Sequence, residues 1–233
     1  MRQTYALIIP ALNEAESIGT LLRRVPRDFF AQVMVVDNGS QDQTIEVATA
    51  AGAQVISEPR RGYGQACWTG IQHVLDSVTA VAFMDADFSD DPEDLVRMLD
   101  RFDEGRWDLV LGSRAMGNPE PGSLTSLQKF GNWLSTRLIA TIWQVGFTDL
   151  GPMRVVRRDS LARLDLRDRT FGWTVEMQAR AAQLRLRVCE IPVHYHRRAH
   201  GQSKISGTVL GSLRAGGRIL WTILRCCIFP LRP

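Results

Sequence analysis

Asp85 and Asp87, separated by one alanine, directly follow the apolar run Val78 to Met84. Both carboxylates therefore emerge where a buried strand ends, the edge at which open α/β sheets bind ligands. Residues two apart in an extended chain point to the same side. Two oxygen ligands on one side, with coordination positions left over, suit Mg²⁺ or Mn²⁺ shared with a diphosphate. D-x-D alone is a weak signal, more often a turn or a cap. The run Asp85-Ala-Asp-Phe-Ser-Asp-Asp-Pro-Glu-Asp94 strengthens it, because so many carboxylates repel one another unless a cation or a helix N-terminus compensates.

Other polar groups open on the same edge. Pro10-Ala-Leu-Asn-Glu14 sits at a strand-to-helix turn, and Val35-Val-Asp-Asn-Gly-Ser40 ends a second strand. There Asp37 has the chemistry to accept hydrogen bonds from ribose hydroxyls or a base N–H. Taken alone, both turns read equally as capping chemistry. Arg60-Arg-Gly-Tyr-Gly-Gln-Ala66 is glycine-rich with two cations ahead of a helix, suited to approach a phosphate, but it lacks the Lys-Ser/Thr ending of a P-loop. His194 and His196 alternate in a strand pattern with His200 nearby, a weak zinc set.

The elements that must hold these groups alternate short Val/Ile-rich runs with helical spacing, the pattern of a parallel α/β sheet. Strands are expected at Tyr5 to Pro10, Val33 to Asp37, Ala53 to Ser57, Val78 to Met84, Trp107 to Leu111 and Arg187 to Pro192. Helices are expected at Glu14 to Val25, Asp42 to Ala51, Gly64 to Leu75, Leu124 to Val145 and Thr174 to Leu184. Asn13, with Glu16 following, is expected to cap the first helix, and Asp90 or Asp91 the helix that starts at Pro92. The tail, Leu210 to Arg232, places Arg214, Arg218, Arg225 and Arg232 within about 40° on a helical wheel. Such a helix either lies in a membrane interface or packs on its own domain with a solvated arginine face.

With 233 residues, 45% of them hydrophobic, the chain can bury one substantial core. The net charge of +3 is unevenly spread, and the arginine-rich region after Arg154 suggests an anionic partner. Cys67, Cys189, Cys226 and Cys227 have the spacing of neither a disulfide framework nor a zinc site, which makes a reducing compartment the expectation. No segment reaches the roughly 18 uninterrupted apolar residues of a membrane span, and the N-terminus lacks a signal-peptide core.

In their order, Pro10 to Glu14, Val35 to Thr44, Arg61 to Ala66, Asp85 to Asp87, Gly112-Ser-Arg114 and Thr148-Asp-Leu-Gly-Pro-Met-Arg154 resemble the family-2 glycosyltransferases, and most of all the dolichol- and polyprenyl-phosphate hexose synthase branch. The resemblance covers nearly the whole chain to about Ser206. It implies a GT-A fold, a Rossmann-like mostly parallel sheet flanked by helices, as a single domain over 1–206 with an amphipathic helical tail over 207–233. It also implies inverting transfer of a hexose from a GDP- or UDP-sugar. Pro10, Leu12, Glu14, Asp37, Gly62, Gly64, Asp85 and Ala86 would contact the donor, and Asp85 and Asp87 the metal. Arg198-Ala-His-Gly-Gln-Ser-Lys204 is similar to the acceptor loop of that branch, so that Arg198, Ser203 and Lys204, with Arg114 and Lys129, would grip a lipid phosphate.

A hydroxyl acceptor would need a base, for which Glu176 is the candidate; alternatively Glu176 pairs with an arginine and orients the acceptor loop. Ser89 stands where some relatives carry a third metal-binding side chain. The transmembrane helices of many relatives are missing, which points to a cytoplasmic protein peripheral at the inner face of the membrane. A nucleic-acid partner is not expected. A sugar-nucleotide pyrophosphorylase would need glycine and a cation right after the first strand, and Pro10 to Glu14 has neither. A silent nucleotide-sugar-binding module is disfavoured by Asp85, Asp87, Arg198 and Lys204 occurring together.

Overall fold

The computed structural model describes residues 3–117, 119–198 and 209–231, with side chains throughout except over 209–214. Seven strands form one sheet: β1 (Tyr5–Ala11), β2 (Phe30–Asp37), β3 (Gln54–Ser57), β4 (Ala80–Phe83), β5 (Leu109–Ser113), β6 (Arg154–Arg157) and β7 (Val188–Pro192). Their order is β3-β2-β1-β4-β6-β5-β7, with β6 antiparallel to its neighbours β4 and β5 and the remaining pairs parallel. Among the described residues the flanking helices are α1 (Ala15–Arg24), α2 (Thr44–Ala50), α3 (Tyr63–Gln72), α4 (Asp94–Asp103), α5 (Ser126–Trp143), α6 (Arg158–Arg163), α7 (Trp173–Gln183) and α8 (Val209–Ile228).

The near-continuous apolar strands serve two cores at once. Along β1, Tyr5, Leu7 and Ile9 face one cluster, with Ile18, Leu21 and Leu22 of α1 and Leu95, Met98 and Phe102 of α4. Ala6 and Ile8 face the other, with Trp173, Val175 and Met177 of α7 and Ile223 of α8. This is the period-2 alternation of a strand buried on both faces. After β3 the chain returns to the far side of β1, so β1 lies at the switch point between β2 and β4, and the C-terminal ends of these strands open one crevice.

The helix starts are built differently from the sequence expectation. Asn13 does not cap α1: it takes a left-handed φ of 50° and its Oδ1 accepts the Gln41 N–H at 2.7 Å. The α1 terminus is instead closed by the loop after β2, where Thr44 Oγ1 accepts the Glu14 N–H at 2.8 Å and Asp42 Oδ2 that of Ala15 at 3.2 Å. Asp91 does act ahead of α4, accepting the Glu93 N–H at 3.0 Å, but regular helix begins only at Asp94.

The arginines of the tail helix depart most from expectation. α8 packs against α5 and α7, and two arginines of the stripe, Arg218 and Arg225, turn toward the protein rather than standing free in solvent. Arg218 meets Asp168 at 2.7 Å and Arg225 meets Glu176 at 2.5 Å, both acids being fully buried. Arg180 and Gln183 of α7 also donate to the Phe229 and Cys226 carbonyls, at 2.6 and 2.7 Å. Two desolvated carboxylates thus draw the cations under the helix, since a buried charge without a partner is costly. No described helix is long and apolar enough to cross a membrane.

Candidate active site

β4 delivers Asp85 and Asp87 to the crevice. Asp85 Oδ1 accepts the Tyr63 hydroxyl at 2.9 Å. Asp87 Oδ1 accepts the Ser89 N–H at 2.9 Å, while its Oδ2 pairs with Arg198 at 2.6 Å. Phe88, directly after Asp87, takes a left-handed φ of 59°, which folds the chain back so that Asp90 lies under the pair. One Asp90 oxygen receives the Asp85 N–H at 3.4 Å; the other is buried without a hydrogen-bond partner.

Burial and the neighbouring Asp87 charge push the Asp85 carboxyl up to about 7, against the Tyr63 hydrogen bond and the Arg198 and Arg114 charges. Burial, then Asp85 and Asp87, raise Asp90 well above the carboxylate range. Burial and Asp85 also raise the Tyr63 phenol, which keeps it a donor. The group thus crowds more negative charge than its surroundings neutralise. This all-oxygen set, with an orphaned oxygen beside it, fits a hard divalent cation. No three His, Cys, Asp or Glu among the described residues form a metal cage, so a cation here would draw its remaining ligands from a phosphate or water.

Arg198 also approaches Glu14 Oε1 at 3.7 Å, linking the carboxylates to the turn after β1. Beside that turn a cavity of about 310 Å³ is lined by Asn13, Glu14, Ser17, Asp42 and Gln43. Pro10 and Ala86 are buried and Leu12 is partly exposed at the same edge. Asp37 is 1% exposed and spends its carboxylate on the Gly39 and Ser40 N–H groups at 3.1 and 3.2 Å. A larger cavity of about 450 Å³ lies on the other side of the sheet, between α3, α6 and α7, where it is lined by Trp68, Ile71, Arg158, Leu161 and Trp173.

Several expected site residues serve the framework instead. The α3 N-terminus does not present open N–H groups to a phosphate: Gly64 and Gln65 donate to the Thr170 and Arg169 carbonyls at 3.2 and 2.8 Å. Gly62 and Gly64 are needed for that approach, since a Cβ would lie 2.1 Å from the Arg169 oxygen at Gly62 and 2.4 Å from the Asp168 oxygen at Gly64. Arg114 is committed to Asp149 through two contacts of 2.8 and 2.9 Å and stacks 5.0 Å from the Tyr195 ring centroid. It braces the 149–154 turn rather than opening as a phosphate clamp.

Glu176, the candidate base, is fully buried on α7. One oxygen holds Arg225; the other accepts the Arg167 and Asp168 N–H groups at 2.9 and 2.6 Å. That is a structural carboxylate, corresponding to the alternative in which it pairs with an arginine. Lys129 is exposed on α5, and Ser203 and Lys204 lie outside the described residues. His194 and His196 bond Asp94, Asp91 and Glu120.

Three residues were not anticipated as site residues. Asp90 was visible only as one member of the acidic run. Tyr63 was hidden in the glycine-rich loop. Arg154, 1% exposed, bonds the Pro152, Gly151 and Thr174 carbonyls and places a buried positive charge near Asp85 and Tyr63.

Comparison with known proteins agrees with this architecture. An uncharacterized glycosyltransferase of Mycobacterium tuberculosis is 38% identical over 210 residues, covering 90% of this chain and 93% of its own. The undecaprenyl-phosphate mannosyltransferase of Micrococcus luteus is 31% identical over 217 residues, covering 88% of each chain. Among solved structures, glucosyl-3-phosphoglycerate synthase of Mycobacterium tuberculosis, in complex with Mn²⁺, UDP and glucosyl-3-phosphoglycerate, superposes with a TM-score of 0.75 at 21% identity, over 97% of this chain and 80% of that one. The fold is accordingly the GT-A fold. The model of Glycosyl transferase family 2 matches residues 6–165, which contain β1 to β6, the crevice and the carboxylates, and with it the chain belongs to that family.

Proposed function

We propose that the protein is an inverting, divalent-metal-dependent hexosyltransferase that moves a sugar from a GDP- or UDP-hexose to a polyprenyl phosphate. The observation that carries this reading is the crowding of Asp85, Asp87 and Asp90 at the exit of β4, with Arg198 as the counter-charge on Asp87. Asp85 and Asp87 would hold Mg²⁺ or Mn²⁺. Once bound, the ion supplies Lewis-acid stabilisation of the departing nucleoside diphosphate. Asp90 and Tyr63 fix the orientation of Asp85 from beneath and beside. Glu14 and the cavity it lines offer polar groups to the nucleoside, with the Pro10 to Glu14 and Asp37 turns as walls. Arg198 would leave Asp87 for a phosphate oxygen, a match of planar guanidinium to oxyanion. Ser203 and Lys204 follow it in the acceptor loop.

The acceptor class is supported by two lines. The Micrococcus luteus relative acts on undecaprenyl phosphate by name. Glu176, the residue a hydroxyl acceptor would have needed as base, is sealed and engaged at both oxygens. A lipid phosphate arrives already anionic and needs no strong base. The enzyme would then work as a peripheral protein at the cytoplasmic membrane face, where a soluble donor meets a lipid head group.

The test is to incubate the protein with Mg²⁺ or Mn²⁺, a panel of GDP- and UDP-sugars, and either a short polyprenyl phosphate or 3-phosphoglycerate. A glycolipid of the expected mass supports the reading. Transfer to 3-phosphoglycerate alone would overturn the acceptor class, and transfer unaffected by EDTA would overturn the metal.

A further inference from the structure

With Arg218 and Arg225 drawn to buried acids, α8 shows solvent an apolar stripe. Leu220, Trp221, Leu224 and Ile228 recur at helical spacing and are 41%, 52%, 49% and 55% exposed, and Phe229, just past the helix end, is 66% exposed. The opposite side of the helix, Thr222, Ile223 and Cys226, is buried in the protein. The neighbouring α5 adds a second exposed stripe, in which Phe130 and Trp133 pair with ring centroids 5.9 Å apart. A surface helix normally puts its apolar stripe on the core and its charges outward. Here the charged stripe is held by buried acids and the apolar one is left over.

The charge of the two helices says what covers it. Neither contains an Asp or Glu; Arg218 and Arg225 are neutralised by Asp168 and Glu176, and the cations left facing solvent are Lys129 and Arg137 of α5, which flank the exposed Trp133. A two-fold contact between copies would set this cationic face against itself, which is unfavourable. An anionic lipid surface complements it, and exposed Trp and Phe among cations are the side chains that settle at head-group depth. α8 is not apolar enough to cross a bilayer, so it would lie in the plane of the interface.

We infer that the outward faces of α8 and α5 form a docking surface for an anionic bilayer, with Trp221, Leu224, Phe130 and Trp133 entering the head-group layer. Docking itself does not depend on the acceptor reading. Its consequence for catalysis does rest on it: only ten residues separate Arg198 from α8 in the sequence, so a phosphate carried by the bilayer under α8 would lie within reach of the cation paired with Asp87.

The test uses the full chain and vesicles without polyprenyl phosphate, made of phosphatidylcholine alone or with phosphatidylglycerol. The wild type should sediment with the anionic vesicles at least tenfold more strongly than with neutral ones, and brominated lipid should quench its tryptophan fluorescence. Trp221→Ser with Leu224→Ser should weaken vesicle binding at least tenfold while leaving transfer to a short water-soluble prenyl phosphate unchanged. Failure of the wild type to bind anionic vesicles, or equal binding by the double variant, overturns the proposal. So does a variant that turns a dimer into a monomer without altering vesicle binding. If vesicle binding behaves as stated but no polyprenyl phosphate is glycosylated, the docking surface stands and only the acceptor reading falls.

Discussion

Replacing Glu176 by glutamine separates a base from a buttress. Its carboxylate is fully buried, with Arg225 at 2.5 Å on one oxygen and two backbone N–H groups on the other. Glutamine keeps the size and one acceptor but removes the charge opposite Arg225. Breaking a buried pair costs about 3–5 kcal/mol when the remaining charge stays dry. Arg225 retains 22% side-chain exposure and can rehydrate, so the expected loss is about 2–3 kcal/mol. For a chain of this length that lowers Tm by about 5–10 °C. Arg225→Met should cost a similar amount, and the double variant should show a coupling of about 2 kcal/mol. The assay is thermal unfolding of the four proteins, with kcat measured well below the lowest Tm. A base would lose about 10²–10⁴ in kcat; a buttress keeps kcat within about threefold. A hundredfold fall in kcat with an unchanged Tm would refute the structural role.

Three further outcomes follow from the geometry. Gly64→Ala drives a Cβ to 2.4 Å from the Asp168 carbonyl and should cost about 2 kcal/mol or more in denaturant unfolding, since the opposing atom is backbone. His196 has its pKa raised by the Glu120 hydrogen bond and then by Asp91. Its charged form therefore adds stability that is complete below the unfolded value of about 6.5 and is lost as pH rises through the folded value. The stability gap between wild type and His196→Gln should shrink above about pH 6.5, and a gap that widens there would contradict the assignment. Arg198→Ala removes the cation that competes for Asp87, so Mn²⁺ binding without nucleotide should tighten while sugar transfer falls, measured by calorimetry and by product mass.

The positions of every strand but β6 were readable because both-face burial writes near-continuous Val/Ile runs, and the carboxylate pair was readable because it sits where such a run stops. Strand order was not: β6 slots antiparallel between β4 and β5, and nothing in its four residues encodes which neighbours it joins. The α1 cap was misread because the groups that close it, Asp42 and Thr44, lie about thirty residues on, in the loop after β2 and at the start of α2. Gly62 and Gly64 looked like a phosphate cradle, yet the contact that requires them comes from Asp168 and Arg169, distant in sequence. The same holds for α8. A wheel shows that its arginines share a side but not that Asp168 and Glu176 lie beneath Arg218 and Arg225, so the solvated and the packed surfaces were exchanged.

The central claim is that Asp85 and Asp87 hold a divalent ion together with a nucleoside diphosphate. Calorimetric titration of Mn²⁺ into the full chain, with and without UDP or GDP, tests it most directly. The expected result is binding near one ion per chain that tightens with the diphosphate. In Asp87→Ala, affinity should fall at least tenfold and sugar transfer should disappear while Tm stays close to that of the wild type. Unchanged Mn²⁺ affinity and turnover in that variant would contradict the account.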